Sequence, residues 1–212
     1  MKKGLALFIF LLFIPNSILP QYKETDYEKG EIFFKKAQEA KQKEIALKYI
    51  NKAIEYYNSY PDGKYKDIIF YKIVKVIDFK YSYLIKEKCE IKKQIFKDMI
   101  EKIKKFCEDK DCKNSKYINF ALMVLYGRYG ECINIFDAAR EGIADRVKRF
   151  AENLYNMDKE FNNYACLLTL GRLYYMVPNI PFILTWPDKK KSKKYLNCLL
   201  YTSDAADELD GV

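Results

Sequence analysis

Between residues 45 and 57, Ile45, Ala46, Tyr49, Ile50, Ala53, Ile54 and Tyr57 recur at helical spacing, with Leu47 and Tyr56 outside the stripe. Recurrence at i, i+1, i+4, i+5, i+8, i+9 and i+12 keeps one side of a 3.6-residue repeat apolar and leaves the other mostly to Lys, Asn and Glu. The spacing predicts an amphipathic helix. Residues 27–40, with Phe33, Phe34, Ala37 and Ala40 on one face, supply its partner. Pro61-Asp62-Gly63 then marks a turn. Ile69, Ile73, Val76, Ile77 and Leu84 predict the next helix, and Ile91, Ile95, Met99, Ile100, Ile103 and Phe106 the one after. A polar connection follows over 107–114, with Ser115 placed to cap a helix that carries Tyr117, Phe120, Ala121, Val124 and Leu125. A short segment at 132–139 precedes a helix with Ile143, Val147, Phe150, Ala151 and Leu154. The last pair is 161–176 and a helix opening at Lys189 with Asp188 as its N-cap and Tyr195 and Leu196 inward. Lys189 to Lys194, broken only by Ser192, reads as the solvated face of that helix. No run alternates with period two for long enough to argue for a sheet.

The helices repeat. Tyr117, Asn119, Phe120, Ala121, Gly127 and Arg128 recur as Phe161, Asn163, Tyr164, Ala165, Gly171 and Arg172, a constant offset of 44. Two helices per unit at a period of roughly 34–47 residues indicate a stacked helical array. The expected fold class is therefore all-α, an α-α superhelix of helical hairpins.

Composition agrees with this. Only 8 Gly and 6 Pro punctuate 212 residues, too few for a domain of many tight turns, and 19 Tyr with 14 Phe argue against disorder. The formal charge of +9 is spread over every helix and interleaved with Glu and Asp, which reads as solvated helix faces and not as a nucleic-acid footprint. The chain has no His, which removes His-based triads, HExxH zinc sites and imidazole proton shuttles. No paired-carboxylate arrangement and no Gly-rich phosphate loop stand out. The expectation is a non-enzymatic protein without cofactor or metal.

Both ends read differently from the middle. Residues 1–21, with Lys2 and Lys3 ahead of an apolar run from Leu5 to Ile14 and a Pro-Asn-Ser breaker, are expected to be an export signal. The competing reading is an uncleaved anchor, the only route by which membrane attachment is expected. No cysteine nearby suggests lipidation. Residues 198–212 break with the Lys-rich style before them, and 198–208 look like a translated sequencing adapter. The expectation is a helical-repeat domain over 22–197, truncated at its C-terminus, followed by an artefactual tail. The alternative is a real acidic tail.

Several residues stand out as candidates for binding. The connection 176–188 is unusually long and apolar, with Pro178, Pro181, Phe182, Trp186 and Pro187. Such a loop either forms a lid or pore wall over an apolar ligand or partner, or packs on its own helices with Trp186 as an anchor. A solute-handling protein would line a pore or cleft with Tyr174, Tyr175, Phe182 and Trp186. Arg128 and Arg172, equivalent in the repeat, either clamp a carboxylate or pair with an acid on a neighbouring helix. Cys107 and Cys112, with four residues between them in a polar connection, could close a local disulfide in an oxidising compartment. Cys89, Cys132 and Cys166 read as small buried residues, and Cys198 is set aside with the tail.

Two segments resemble the tetratricopeptide pattern. Ala46, Ile50 and Ala53 match its Ala, bulky apolar and Ala positions, and Leu170, Gly171 and Tyr174 match its Leu-Gly-x-x-Tyr. With the 176–188 connection and the Asp-Lys-Lys-Lys-Ser-Lys-Lys-Tyr-Leu that follows, residues 117–197 look like the T-component of tripartite (TRAP-type) solute transporters. The likeness weakens toward the N-terminus. The resemblance implies a periplasmic, TPR-like protein that contacts a solute-binding protein, with an apolar or carboxylate solute and homo-oligomerisation as further expectations. The rival expectation is a TPR-like scaffold of the cell envelope with no small ligand.

Overall fold

A computed structural model describes residues 24–60, 63, 65–86, 88–180 and 184–209. The expected signal at 1–21, Pro61, Asp62 and Phe182 lie outside the described residues. Nine α-helices follow one another among those described: α1 (Glu24–Glu39), α2 (Lys43–Ser59), α3 (Lys66–Phe79), α4 (Cys89–Phe106), α5 (Lys116–Gly130), α6 (Ile135–Arg140), α7 (Ile143–Asp158), α8 (Phe161–Met176) and α9 (Lys189–Leu209). Among the described residues the fold is all-α. A single antiparallel bridge, Ile180 to Leu184, is the one extended pairing among the described residues. None of the described helices is long and apolar enough to cross a membrane.

Three residues separate α1 from α2, so the two can only fold back on each other. Ala46, Ile50, Ala53 and Tyr57 of α2 are buried against Phe34 and Ala37 of α1. Gly30 admits the Tyr57 ring, since a Cβ there would lie 2.6 Å from Tyr57 Cε1. The Tyr57 hydroxyl donates to Glu31, whose other oxygen accepts from Lys72 Nζ of α3 at 2.6 Å, and this polar knot ties the first three helices together.

Helix α3 lies against both α2 and α5, and α4 also packs on α5. Ile69, Phe70, Tyr71, Ile73, Val74, Val76 and Ile77 are all buried, because α3 has neighbours on most sides. Its last turn loosens into a π-helical stretch, Lys80–Leu84. Cys107 and Cys112 are joined by a disulfide across the polar turn after α4, and Phe106 meets Phe70 edge-on at 5.1 Å.

Ser115 caps α5, its Oγ accepting from Ile118 N at 3.3 Å and donating to Asp67 Oδ2 at 2.7 Å. Ser115→Ala should lower the unfolding free energy by about 1–2 kcal/mol, because it removes the cap and a bond to α3 together. A shift of the urea midpoint at constant slope checks this; a loss below about 0.3 kcal/mol would count against the cap.

Helix α5 is clamped to α7 at one end and in the middle, and to the turn before α7 at the other end. Lys116 pairs with Asp158 at 2.7 Å, Asn153 Nδ2 donates to the buried Asn119 Oδ1 at 3.1 Å, and the Tyr129 hydroxyl donates to Glu141 at 3.0 Å. Helix α8 packs on α7 and on α9. Gly171 permits the last contact: a Cβ there would stand 2.5 Å from Leu196 Cδ2, and Ser192 Oγ donates to the Gly171 carbonyl at 2.7 Å. Asp188 Oδ1 accepts from Lys190 N at 2.7 Å and caps α9, which continues without a break through residue 198 to Leu209.

The offset of 44 does not carry through local structure. Asn119 is buried inside regular helix, its amide donating to the carbonyls of Lys113 and Ser115. Its counterpart Asn163 is exposed in a left-handed turn at Asn162, Asn163 and Tyr164, with φ of 51°, 55° and 55°. Such a conformation costs an L-residue about 1–2 kcal/mol, least for Asn. The two glycines also differ, since Gly127 faces open space where Gly171 meets Leu196.

Candidate functional site

The C-terminal halves of α5 and α8 and the first turns of α7 line a cleft of about 390 Å³. Met123 and Val124 of α5, Ile143 and Val147 of α7, and Leu173 and Met176 of α8 make its lining mostly apolar. The clamps between α5 and α7 hold two of its walls, and Ala138 of α6 adds part of a third. Its size lies within the ordinary range for small-molecule sites, about 300–1,000 Å³.

Two guanidinium groups reach this cleft and their circumstances differ. Arg128 Nε donates to Asp78 Oδ1 of α3 at 2.6 Å, and its Nη1 donates to Glu131 Oε2 at 3.0 Å. Burial works against the Arg128 charge, but the bonds to Asp78 and Glu131 outweigh it and hold the pKa above the usual arginine value. Its charge is spoken for. Arg172, one helix over, is exposed and has no ion pair or hydrogen bond among the described residues. An apolar cleft with one neutralised and one free guanidinium suits a molecule with an apolar body and a single anionic head.

The other candidates lie elsewhere. Tyr174 is 4% exposed and packs edge-on against Trp186 at 5.3 Å and flat on Tyr195 at 5.8 Å. The Trp186 indole N–H donates to Asp145 Oδ1 at 2.7 Å, and Lys148 sits over its ring. This aromatic cluster seals the junction of α7, α8 and α9. Ile180 and Leu184 exchange backbone hydrogen bonds of 2.9 and 2.8 Å, Leu184 is buried, and Trp186 is held against α7 and α8. Tyr175 is 62% exposed, its ring under Lys189 Nζ. The structure thus brings Arg128 and Arg172 to one cleft, joins Tyr174 to Trp186 in another place, and leaves Tyr175 outside both.

Val124, Ile143 and Val147 of the lining stand on helix stripes legible in the sequence, whereas Met123, Leu173 and Met176 do not belong to any stripe read there. The cysteines need a correction too. Cys166 is buried, its Sγ donating to the Lys159 carbonyl at 3.4 Å, but Cys89 is exposed and Cys132 half-buried. Among the described residues no group of His, Cys, Asp and Glu could hold a metal ion. No protein-family model matches the chain, and comparison with curated proteins and with solved structures finds no match either.

Proposed function

We propose that the chain is a non-enzymatic, exported helical-repeat protein that acts as the accessory T-component of a TRAP-type solute transporter. In that role it contacts a periplasmic solute-binding protein and holds, in the cleft between α5, α7 and α8, a solute with an apolar body and a carboxylate. The observation that carries the ligand reading is the free Arg172 guanidinium at an apolar cleft whose other arginine is already neutralised. The pairing of α1 with α2, α5 with α7 and α8 with α9, and the packing of α2 on α3, α4 on α5 and α7 on α8, support a TPR-like superhelix. The Cys107–Cys112 disulfide supports an oxidising compartment.

A second reading, a protein-binding scaffold without a small ligand, is favoured by Ile135 and Phe136 on α6, 51% and 80% exposed close to the cleft wall at Ala138. Calorimetric titration with decanoate and with decanol separates the two. Saturable decanoate binding is expected, weakened about 5–10-fold by Arg172→Ala while decanol is unaffected, as for the loss of one exposed charge-assisted contact. Absence of decanoate binding, or equal binding by the variant, rejects the ligand reading. The transporter role is tested separately at the gene locus and by co-elution: a solute-binding protein encoded beside this chain should co-elute with it, and the absence of such a gene, or a partner that never co-elutes, rejects the role.

A further inference from the structure

The thiols of Cys89 and Cys132 come together although 42 residues separate them in sequence. Cys89 opens α4 and is exposed; its Sγ lies 4.0 Å from the Glu131 carbonyl, the group bonded to the Cys132 nitrogen, and its thiol interacts electrostatically with that of Cys132. Cys132 is held in the turn after α5 by its backbone N–H, which donates to the Tyr129 carbonyl at 3.0 Å. Both thiols are free in a chain that already carries one disulfide, Cys107–Cys112. We propose that Cys89 and Cys132 form a second, reversible disulfide that staples the start of α4 to the turn between α5 and α6.

The chemistry needs an external oxidant, for which a small-molecule disulfide such as glutathione disulfide suffices. The exposed Cys89 thiolate attacks one sulfur of it, forming a mixed disulfide and releasing one glutathione thiolate. The Cys132 thiolate then attacks the Cys89 sulfur, the internal bond forms, and a second glutathione thiolate leaves. Two protein thiols lose two protons and two electrons, and the oxidant is reduced to two thiols. Cys89 goes first because it is the open one. Burial and the hydrogen bond to Cys89 push the Cys132 thiol up to about 11, with Glu131 adding to the shift and Lys92 opposing it. In the mixed disulfide Cys89 no longer carries a thiol, but burial still holds the Cys132 thiol up, so closure should speed up as pH rises from about 7 to about 9 and the attacking thiolate becomes more abundant. The bond would also fix the turn bearing Glu131, one of the two carboxylates on Arg128, so oxidation would stiffen one wall of the cleft.

The test is done on the full chain. It is oxidised with glutathione disulfide, quenched with N-ethylmaleimide, digested with trypsin without reductant and read by mass spectrometry. Trypsin leaves Cys89 in the peptide 89–92 and Cys132 in the peptide 129–140. The expected result is these two peptides linked, separating on reduction, and present in Cys107→Ser as well. The oxidised wild type should melt about 5–10 °C above Cys89→Ser, since the closed loop is long. The proposal is overturned if Cys107–Cys112 closes fully while Cys89 and Cys132 are recovered as separate glutathione or maleimide adducts.

Discussion

Tyr71→Ala is expected to lower the unfolding free energy by about 3–5 kcal/mol and the melting temperature by about 10 °C. Tyr71 stands where α3, α5 and α8 meet. Its ring lies 5.1 Å from Phe120, 5.2 Å from Phe161 and 5.6 Å from Tyr117, and its hydroxyl donates to Asn162 Oδ1 at 2.9 Å. Phe161 in turn meets Tyr117 and Phe120, so four rings share one contact. Removing the central ring opens a cavity that three helices cannot close without leaving their other neighbours. Tyr71→Phe keeps the ring and loses only the bond to Asn162, which is half-buried, so it should cost about 1 kcal/mol. Urea titrations of the two variants check both values. A Tyr71→Ala loss below about 1 kcal/mol would mean that the three helices do not meet at this ring.

This junction also shows where sequence reasoning stops. The stripe of α2 is legible because α2 buries one narrow face, and Ala46, Ile50, Ala53 and Tyr57 are all found inside. Helix α3 is legible only as a helix. Period 3.6 picks out Ile69, Ile73, Val76 and Ile77, but Phe70, Tyr71 and Val74 are buried too, because neighbours cover most of its surface. A helix with no single wet face has no single stripe to read. At the other extreme, Ile45 and Ile91 sit on the expected stripes and are 42% and 49% exposed, since each stands near a helix start where nothing packs over it.

The site divides in the same way. Ser115 and Asp188 are legible as caps because capping is a local rule, and the structure places both side chains on the first turns of their helices. The equivalence of Arg128 and Arg172 rests on a register that local rules cannot guarantee. The left-handed turn at Asn162–Tyr164 alters the start of α8, and of the two acids on Arg128 one, Glu131, is local while the other, Asp78, stands 50 positions earlier in the chain. Only tertiary packing reveals that one arginine is spent and the other free.

The knot at Glu31 leads to the second large effect, a steep loss of stability in alkali. Burial, and then the bond to Glu31, push the Tyr57 hydroxyl far above the usual tyrosine range. Burial pulls the Lys72 ammonium down, but its hydrogen bond and charge interaction with Glu31 prevail and raise it. Both groups keep a proton in the folded state at a pH where the unfolded chain has released it. The unfolded state then binds fewer protons, so stability falls as pH rises. The stabilisation is fully present below the unfolded values, about 10 for Tyr and 10.4 for Lys, and is lost as pH climbs past them toward the folded ones. Each proton accounts for about 1.4 kcal/mol per pH unit, so the pair accounts for about 2–3 kcal/mol per unit above pH about 10.5. Tyr71, Tyr129, Tyr174 and Tyr195, raised first of all by burial, add to the trend. Lys75, lowered by burial and by Lys72, works against it. Glu31→Gln keeps an acceptor for Tyr57 but ends the ion pair with Lys72, so its urea midpoint should fall more gently with pH by about one proton's worth. Circular dichroism of both proteins in urea at pH 8, 9.5 and 11 makes the comparison. Parallel curves would show that Lys72 does not owe its raised pKa to Glu31, and that α1, α2 and α3 are not tied at this point.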